Sequence, residues 1–323
     1  MPSPVMSDVA RARSFGDVAW GGALECAWAE AQNCVDALFL CERHFLSHTE
    51  LEKIRKSYAR ELARVSAWRN PRLEEVFYCV RREDFLPPGP WKLLVDGRFV
   101  ETRGSNPAHV YQNAAIAIDT RKGINNGEPH LHAMWIGAVA PQPDEDVTQI
   151  GLGMGYYTAI LALLVAPGGH LTGYEIDSEL AEAARRNLSA YEKVSVVAGD
   201  ATALAVPPSD LIYVSAAVVE PPDQWLTALR PGGRLIFPWR PTLDVALALL
   251  VKRVAAGFEV KPLMSCWFIP CVGASTPRGT TLAPNGASAS RIRSLHLTRE
   301  RAPDNSAVAT YENVWFSSAK LQR

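Results

Sequence analysis

Between Val147 and Trp239 the chain alternates short apolar runs with longer amphipathic ones, and this alternation constrains the fold more than any other feature. The segments "DVTQIG", "HLTGYEID", "KVSVVAGD", "DLIYVSAAVV" and "GRLIFPW" read as strands. Tyr156 to Val165, "DSELAEAARRNL" and "PPDQWLTALR" read as helices. Strands separated by helices pair in parallel through right-handed crossovers, because a parallel neighbour is reached only by crossing a face of the sheet. The spacing therefore predicts an α/β, doubly wound, mostly parallel sheet. In the second helix Asp177 or Ser178 can cap the first turn, and Arg185 and Arg186 suit the negative end of the helix dipole.

In such a sheet a ligand lies beyond the carboxyl ends of the strands, where the strand order reverses, and the first strand-to-helix turn is where glycine is needed. That turn is "QIGLGMGYYTAIL", with Gly151, Gly153 and Gly155. Its G-x-G-x-G spacing is not the G-x-G-x-x-G of dinucleotide binders, and no G-K-[ST] follows to hold a triphosphate. The turn suits a ligand that approaches closely and carries no phosphate there. The next strand ends at Glu175, whose carboxylate can accept from two vicinal ribose hydroxyls. The third ends at Asp200, placed to accept from an exocyclic adenine amine. Alone, a glycine turn can be tight packing and a strand-end acid a helix cap. In register on three successive strands they describe a nucleoside pocket.

At this point "VTQIGLGMGYYTAILALL", "GYEID", "VVAGDA", "DLIYVSAAV" and "LRPGGRLIFP" resemble successive motifs of class I S-adenosylmethionine-dependent methyltransferases, specifically the protein-L-isoaspartate O-methyltransferase family. "RNPRLEEVFYCVRREDFLPP" resembles the N-terminal segment of that family and "GFEVKPLMSCWFIPCVG" its last strand, so the resemblance covers about Leu62 to Gly273. It implies a Rossmann-like methyltransferase fold with S-adenosyl-L-methionine as cofactor. Gly151, Gly153 and Gly155 would pass under the methionine part, with Tyr156 beside them. Glu175 would bind the ribose and Asp200 the adenine edge, while Ile176 and Ala201 pack on the adenine faces. Gln149 stands where the family's first motif usually has an acid; an amide cannot charge-pair with the cofactor's ammonium.

A second departure lies upstream. The family carries a Ser-Gln-Pro or Thr-Gln-Pro element whose hydroxyl lies beside the transferred methyl. Counting back from Gln149 by the family's helix length reaches Pro129, so the element here is Gly127-Glu128-Pro129 in "INNGEPHLH". The hydroxyl is missing and a carboxylate replaces an amide. An isoaspartyl carboxylate is already ionised and needs only orientation, whereas Glu128 facing the pocket would repel it and favour a neutral or cationic acceptor. A hydroxyl or amine acceptor benefits from a base, and Glu128, His130 and His132 are close enough in sequence to serve. Glu128, His130 and Asn126 are the catalytic candidates, each with an ordinary alternative: a helix-dipole partner, a capping residue and a turn residue. Asn125 also suits a turn, and Tyr111 and Asn113 are further candidates for the cleft, with a structural role the stronger reading.

The resulting expectation is a methyltransferase acting on a small molecule or modified peptide. The alternatives are isoaspartyl carboxyl methylation and a non-catalytic cofactor-binding or scaffold protein. Restoring the element with Gly127→Ser and Glu128→Gln is expected to recover isoaspartyl transfer. The 323 residues divide into an N-terminal helical extension (1–65), a methyltransferase domain (66–275) and a C-terminal extension (276–323). Apolar residues at helical spacing in Ser14 to Arg69, among them Leu38, Leu40, Phe45, Leu51, Ile54, Tyr58 and Leu62, point to a face buried on the domain or in a homodimer. The sequence "NPRLEEVFYCVRREDFLPPGP" reads as a helix stopping at Pro87-Pro88. A net charge of -1 gives no reason to expect a nucleic-acid partner. Asp8, Arg11, Arg13 and Asp17 interrupt any export signal in the opening residues, and glycines and Pro167 divide the long uncharged run after Val147. No membrane partner, no bound metal, a cytoplasmic location and buried reduced cysteines are expected.

Overall fold

The computed structural model describes residues 50–322. Helix α1 (Glu50–Val65) presents Tyr58, Ala59 and Leu62 as a buried stripe, with Leu51 and Ile54 packed beside it. The expected helical spacing is therefore satisfied for this part within the chain. Ser14 to Thr49, including Leu38, Leu40 and Phe45 and the expected homodimer face, lies outside the described residues, as do Cys26, Cys34 and Cys41. Helix α2 (Pro71–Cys79) starts on an Asn70 cap that accepts from Arg72 N and has Pro71 in its first turn. It stops at Cys79, ahead of the Pro87-Pro88 pair the sequence suggested, because the chain turns Arg82 inward through a 3₁₀ turn at Arg82–Phe85.

A small antiparallel sheet follows, from β1 (Lys92–Val95), β2 (Arg98–Glu101), β3 (Ala115–Asp119) and β4 (Ile124–Asn125), in the order β2-β1-β3-β4. Helix α3 (Pro129–Val139) leads to the main sheet. Its parallel half comprises β5 (Val147–Ile150), β6 (Leu171–Glu175), β7 (Val194–Ala198), β8 (Ser209–Val214) and β9 (Leu229–Trp239). The crossovers are α4 (Tyr156–Val165), α5 (Ser178–Asn187) and α6 (Asp223–Ala228). Side chains of β8 alternate as the pleat requires: Leu211 and Tyr213 enter the core shared with α1 to α4, and Ile212 and Val214 enter the core on the other face. Helix α4 is apolar all round because it lies between the sheet and α2.

The α/β class and the parallel unit stand as the alternation required. The sheet then continues antiparallel through β10 (Leu247–Val254) and β11 (Gly257–Ser265). After a one-turn helix, α7 (Gly286–Ala289), β12 (Ser294–Leu297), β13 (Ala307–Thr310) and β14 (Val314–Ser317) bring the sheet to ten strands. The last three come from the segment set apart as a C-terminal extension. It is tied to the core by buried Glu220, whose Oε1 accepts from Asn313 N (3.0 Å) and Oε2 from Arg278 N (3.3 Å). Strand β5 lies between β6 and β8, so the order reverses there and the glycine turn opens at the switch point. Cys266 and Cys271 are buried thiols, with burial pushing Cys271 up to about 12, but Cys79 is exposed, against expectation. No helix among the described residues is long and apolar enough to cross a membrane.

Candidate active site

Gly151, Gly153 and Gly155 all take left-handed backbone angles, with φ of 75°, 57° and 96°. A Cβ is costly in that region, which is why the turn demands glycine. At Gly155 a Cβ would also press on Leu188 of the neighbouring crossover, while at Gly153 it would meet only Ile118 Cδ1 at 3.8 Å. Space therefore lies open above the middle of the turn. Glu175, at the end of β6, is buried and holds this turn: Oε2 accepts from Gly153 N at 2.8 Å and Oε1 from Asp177 N at 3.1 Å. Burial pushes its carboxyl above the usual range. Ile176 beside it is 49% exposed, a free apolar surface at the strand end. Asp177 caps α5 through Glu179 N and Leu180 N.

Asp200 accepts from Thr202 N through Oδ1 at 2.8 Å, while its Oδ2 lies towards Gly273. Two neighbours lie elsewhere than the family pattern suggests. Ala201 is buried in the core, its carbonyl taking Trp225 Nε1 at 3.0 Å. The Tyr156 ring packs inward on Phe85 with its hydroxyl 3.5 Å from that of Tyr58, leaving only its backbone at the mouth of the turn. Gln149 accepts from Thr158 Oγ1 at 2.8 Å, and its amide nitrogen has no partner among the described residues. The open glycine turn, the strand-end acids and the exposed Ile176 fit the nucleoside-containing cofactor read from the sequence.

The Gly127-Glu128-Pro129 element opens α3, with Gly127 at φ 75°. Its three catalytic candidates do not converge. Glu128 accepts from Asn113 Nδ2 at 2.6 Å, while Asn113 Oδ1 accepts from His130 N at 2.9 Å, so Asn113 caps the helix from outside. The His130 ring pairs with Glu61 of α1 at 2.7 Å. Asn126 accepts from Ile116 N at 3.0 Å and Arg82 Nη2 at 3.2 Å, with its own Nδ2 buried and unpartnered. Tyr111 is drawn aside too: its hydroxyl takes Arg55 Nε at 2.9 Å and donates to Glu83.

The side chain that faces Gly127 is His132, one turn into the helix; a Cβ on Gly127 would collide with its Nε2. The imidazole is buried, stacks on Tyr157 at 3.7 Å, and places Nδ1 2.8 Å from the Tyr213 hydroxyl. Burial, with the Arg82 charge adding to it, brings its pKa down to about 3, so the ring is neutral. The Tyr213 hydroxyl has no other acceptor among the described residues, so donating to Nδ1 satisfies both groups and leaves the proton on Nε2. An N–H donor thus stands where the side chain of residue 127 would be. Arg82 underlies the element, wholly buried, donating to the carbonyls of Val110 (2.6 Å), Gln112 (3.0 Å), Ala114 (2.8 Å) and Gly127 (3.3 Å). No carboxylate is among its partners in the described residues. Neither Arg82 nor Tyr213 stands out in the sequence. Tyr213 is marked only as a polar tip on an apolar strand, and nothing distinguishes Arg82 from the charged residues around it.

The model of the protein-L-isoaspartate(D-aspartate) O-methyltransferase family matches residues 96–276. A protein-L-isoaspartate O-methyltransferase of Hyperthermus butylicus is 34% identical over 172 residues, covering 48% of this chain and 71% of its own. One of Staphylothermus marinus is 31% identical over 237 residues, 70% of this chain and 96% of its own. Among solved structures, a protein-L-isoaspartate O-methyltransferase superposes with TM-score 0.59 at 20% identity, over 81% of this chain and 86% of that one. A Plasmodium falciparum beta-aspartate methyltransferase in complex with S-adenosyl-L-homocysteine gives TM-score 0.54 at 16% identity, over 67% and 97%. At these identities the structural likeness speaks for the fold.

Proposed function

This chain belongs to the protein-L-isoaspartate O-methyltransferase family, and we propose that it methylates the side-chain carboxylate of an isoaspartyl residue in a peptide or protein. It is an S-adenosylmethionine-dependent methyltransferase with the Rossmann-like fold of that class. The observation that carries the acceptor reading is the His132 N–H beside Gly127.

When bound, S-adenosylmethionine supplies a methyl group made electrophilic by its sulfonium. The three glycines would let backbone come close to it, Glu175 would accept from the ribose hydroxyls, and Asp200 would accept from the adenine edge. The acceptor needs alignment first and charge compensation second. An ionised carboxylate needs no base, and the nearest ring offers none: His132 is neutral with Nε2 protonated, while Glu128 Oε1 accepts from Asn113. His132 Nε2–H can instead donate to a carboxylate oxygen and hold it in line. The buried Arg82 charge adds a field that favours an anion. The reading of a neutral or cationic acceptor rests on the missing hydroxyl at Gly127, the charge of Glu128 and a nearby base. Transfer from labelled cofactor to an isoaspartyl peptide, with its aspartyl counterpart as control, separates the two. Incorporation confined to the isoaspartyl peptide is expected; none there, with incorporation into an amine or hydroxyl compound, would return the site to the neutral-acceptor reading.

Glu175→Ala should weaken binding of S-adenosylmethionine and S-adenosylhomocysteine by about 1.5–3 kcal/mol, the scale of hydrogen bonds to a charged group. Calorimetric titration measures this, and unchanged affinity would remove Glu175 from the site. The pH dependence follows with a definite sign. Burial raises the free carboxyl, whereas ribose donors favour its ionised form, so affinity should fall as pH is lowered through the upper carboxylate range. Glu175→Gln should flatten that fall; an equal slope in the variant would assign it to another group.

A further inference from the structure

Strand β11 ends at Ser265, and the chain then crosses the carboxyl edge of the sheet beside the loop after β8. Ala217 N donates to Ile269 O (2.7 Å) and Cys271 N to Ala217 O (2.8 Å). Along this crossing Cys266, Phe268 and Cys271 turn inward, while Trp267, Ile269 and Val272 turn out. Phe268 stacks on Trp135 at 5.1 Å and meets the His132 ring edge-on at 5.8 Å, which puts Trp267 within one residue of the acceptor site. Trp267 is 52% exposed, a large apolar surface left in water at the rim of the site. The Arg240 guanidinium lies over its ring, 4.3 Å from the centroid. Arg240 has no carboxylate partner among the described residues.

Stacking on an indole holds a guanidinium by its face and leaves the in-plane N–H fork free to donate. The contact with Trp267 uses none of the Arg240 N–H groups as a hydrogen-bond donor, so a carboxylate arriving there meets an available partner next to apolar surface. We propose that Trp267 and Arg240 form a specificity shelf for the acceptor chain, selecting peptides with an acidic and an apolar side chain flanking the methylated residue. The proposal rests on the peptide-acceptor reading above. It makes Arg240 a recognition residue separate from the His132 donor.

The test uses the full chain with a set of isoaspartyl peptides varied at each flanking position among Ser, Leu, Glu and Lys. Binding to the protein loaded with S-adenosylhomocysteine is measured beside turnover. Glu-flanked and Leu-flanked peptides should bind about tenfold more tightly than Ser-flanked ones, and Lys-flanked peptides more weakly. Arg240→Gln should abolish the Glu preference and spare the Leu preference. Trp267→Ala should lose both, and Trp267→Phe should recover part of them, with cofactor affinity and melting temperature confirming that each variant is folded. Flanking preferences that are absent, or the same in Arg240→Gln as in the parent, would overturn the shelf, as would failure to bind any peptide. If flanking preferences appear in binding and vanish in Arg240→Gln while no isoaspartyl peptide is methylated, the shelf stands and the proposed reaction fails. Turnover without flanking preference is the reverse outcome.

Discussion

Replacing His132 with phenylalanine should slow methyl transfer to an isoaspartyl peptide by about 10²- to 10³-fold, the scale of losing one oriented donor in a transition state, with affinity for S-adenosylhomocysteine unchanged. Phenylalanine keeps the stack on Tyr157 and the contact with Trp135, so the shape of the site survives. It removes the Nε2 donor and leaves the Tyr213 hydroxyl buried without an acceptor, which costs about 1–3 kcal/mol of stability. Adding Tyr213→Phe removes that orphaned group. The double variant should therefore regain stability without regaining rate, a separation that a merely structural His132 would not produce. Single-turnover rates with labelled cofactor and urea unfolding are the two measurements. A rate within a few-fold of the parent would take His132 out of the reaction.

Gly127→Ser with Glu128→Gln should lower stability and activity together, the opposite of what the family pattern suggests for this change. Gly127 sits at φ 75°, where an L side chain costs about 1–2 kcal/mol. The added Cβ would also collide with the His132 ring, and overpacking of that kind costs about 1–3 kcal/mol more. The serine can enter only by displacing the donor it was meant to supplement. In a His132→Ala background the obstacle is gone, and Gly127→Ser should there raise the transfer rate above that of His132→Ala alone. The two groups are thus alternatives for one place. Unfolding curves and isoaspartyl transfer rates for the four proteins decide it; a serine that speeds transfer with His132 still present would sink this account.

These expectations show where the acceptor site was legible in the sequence and where it was not. The absence of a hydroxyl at Gly127 could be read directly, but the sequence does not reveal what fills the resulting space. His132 is close in the chain and a candidate base there, but burial leaves the ring only weakly basic, and the Tyr213 hydroxyl engages Nδ1 and leaves the proton on Nε2. Its actual character depends on Tyr213 and Arg82, which come from β8 and from the turn after α2. Similarly, Glu128 looks like a free charge in sequence and is engaged by Asn113 in the fold.

The sequence by itself determined the parallel half of the sheet, the glycine turn at the switch point and the acids at the ends of β6 and β7. Each is written locally: a change of hydrophobic period, residues that tolerate left-handed angles, a carboxylate at a fixed place in its strand. Tertiary structure alone decided that α1 and the last three strands join the same cores and sheet, that the Tyr156 and Ala201 side chains turn into the interior, and that the His132 imidazole fills the space beside Gly127. Those outcomes depend on which distant groups are brought together out of water, where a buried donor must find an acceptor and a charge must find a partner or neutralise, and no local period encodes that pairing.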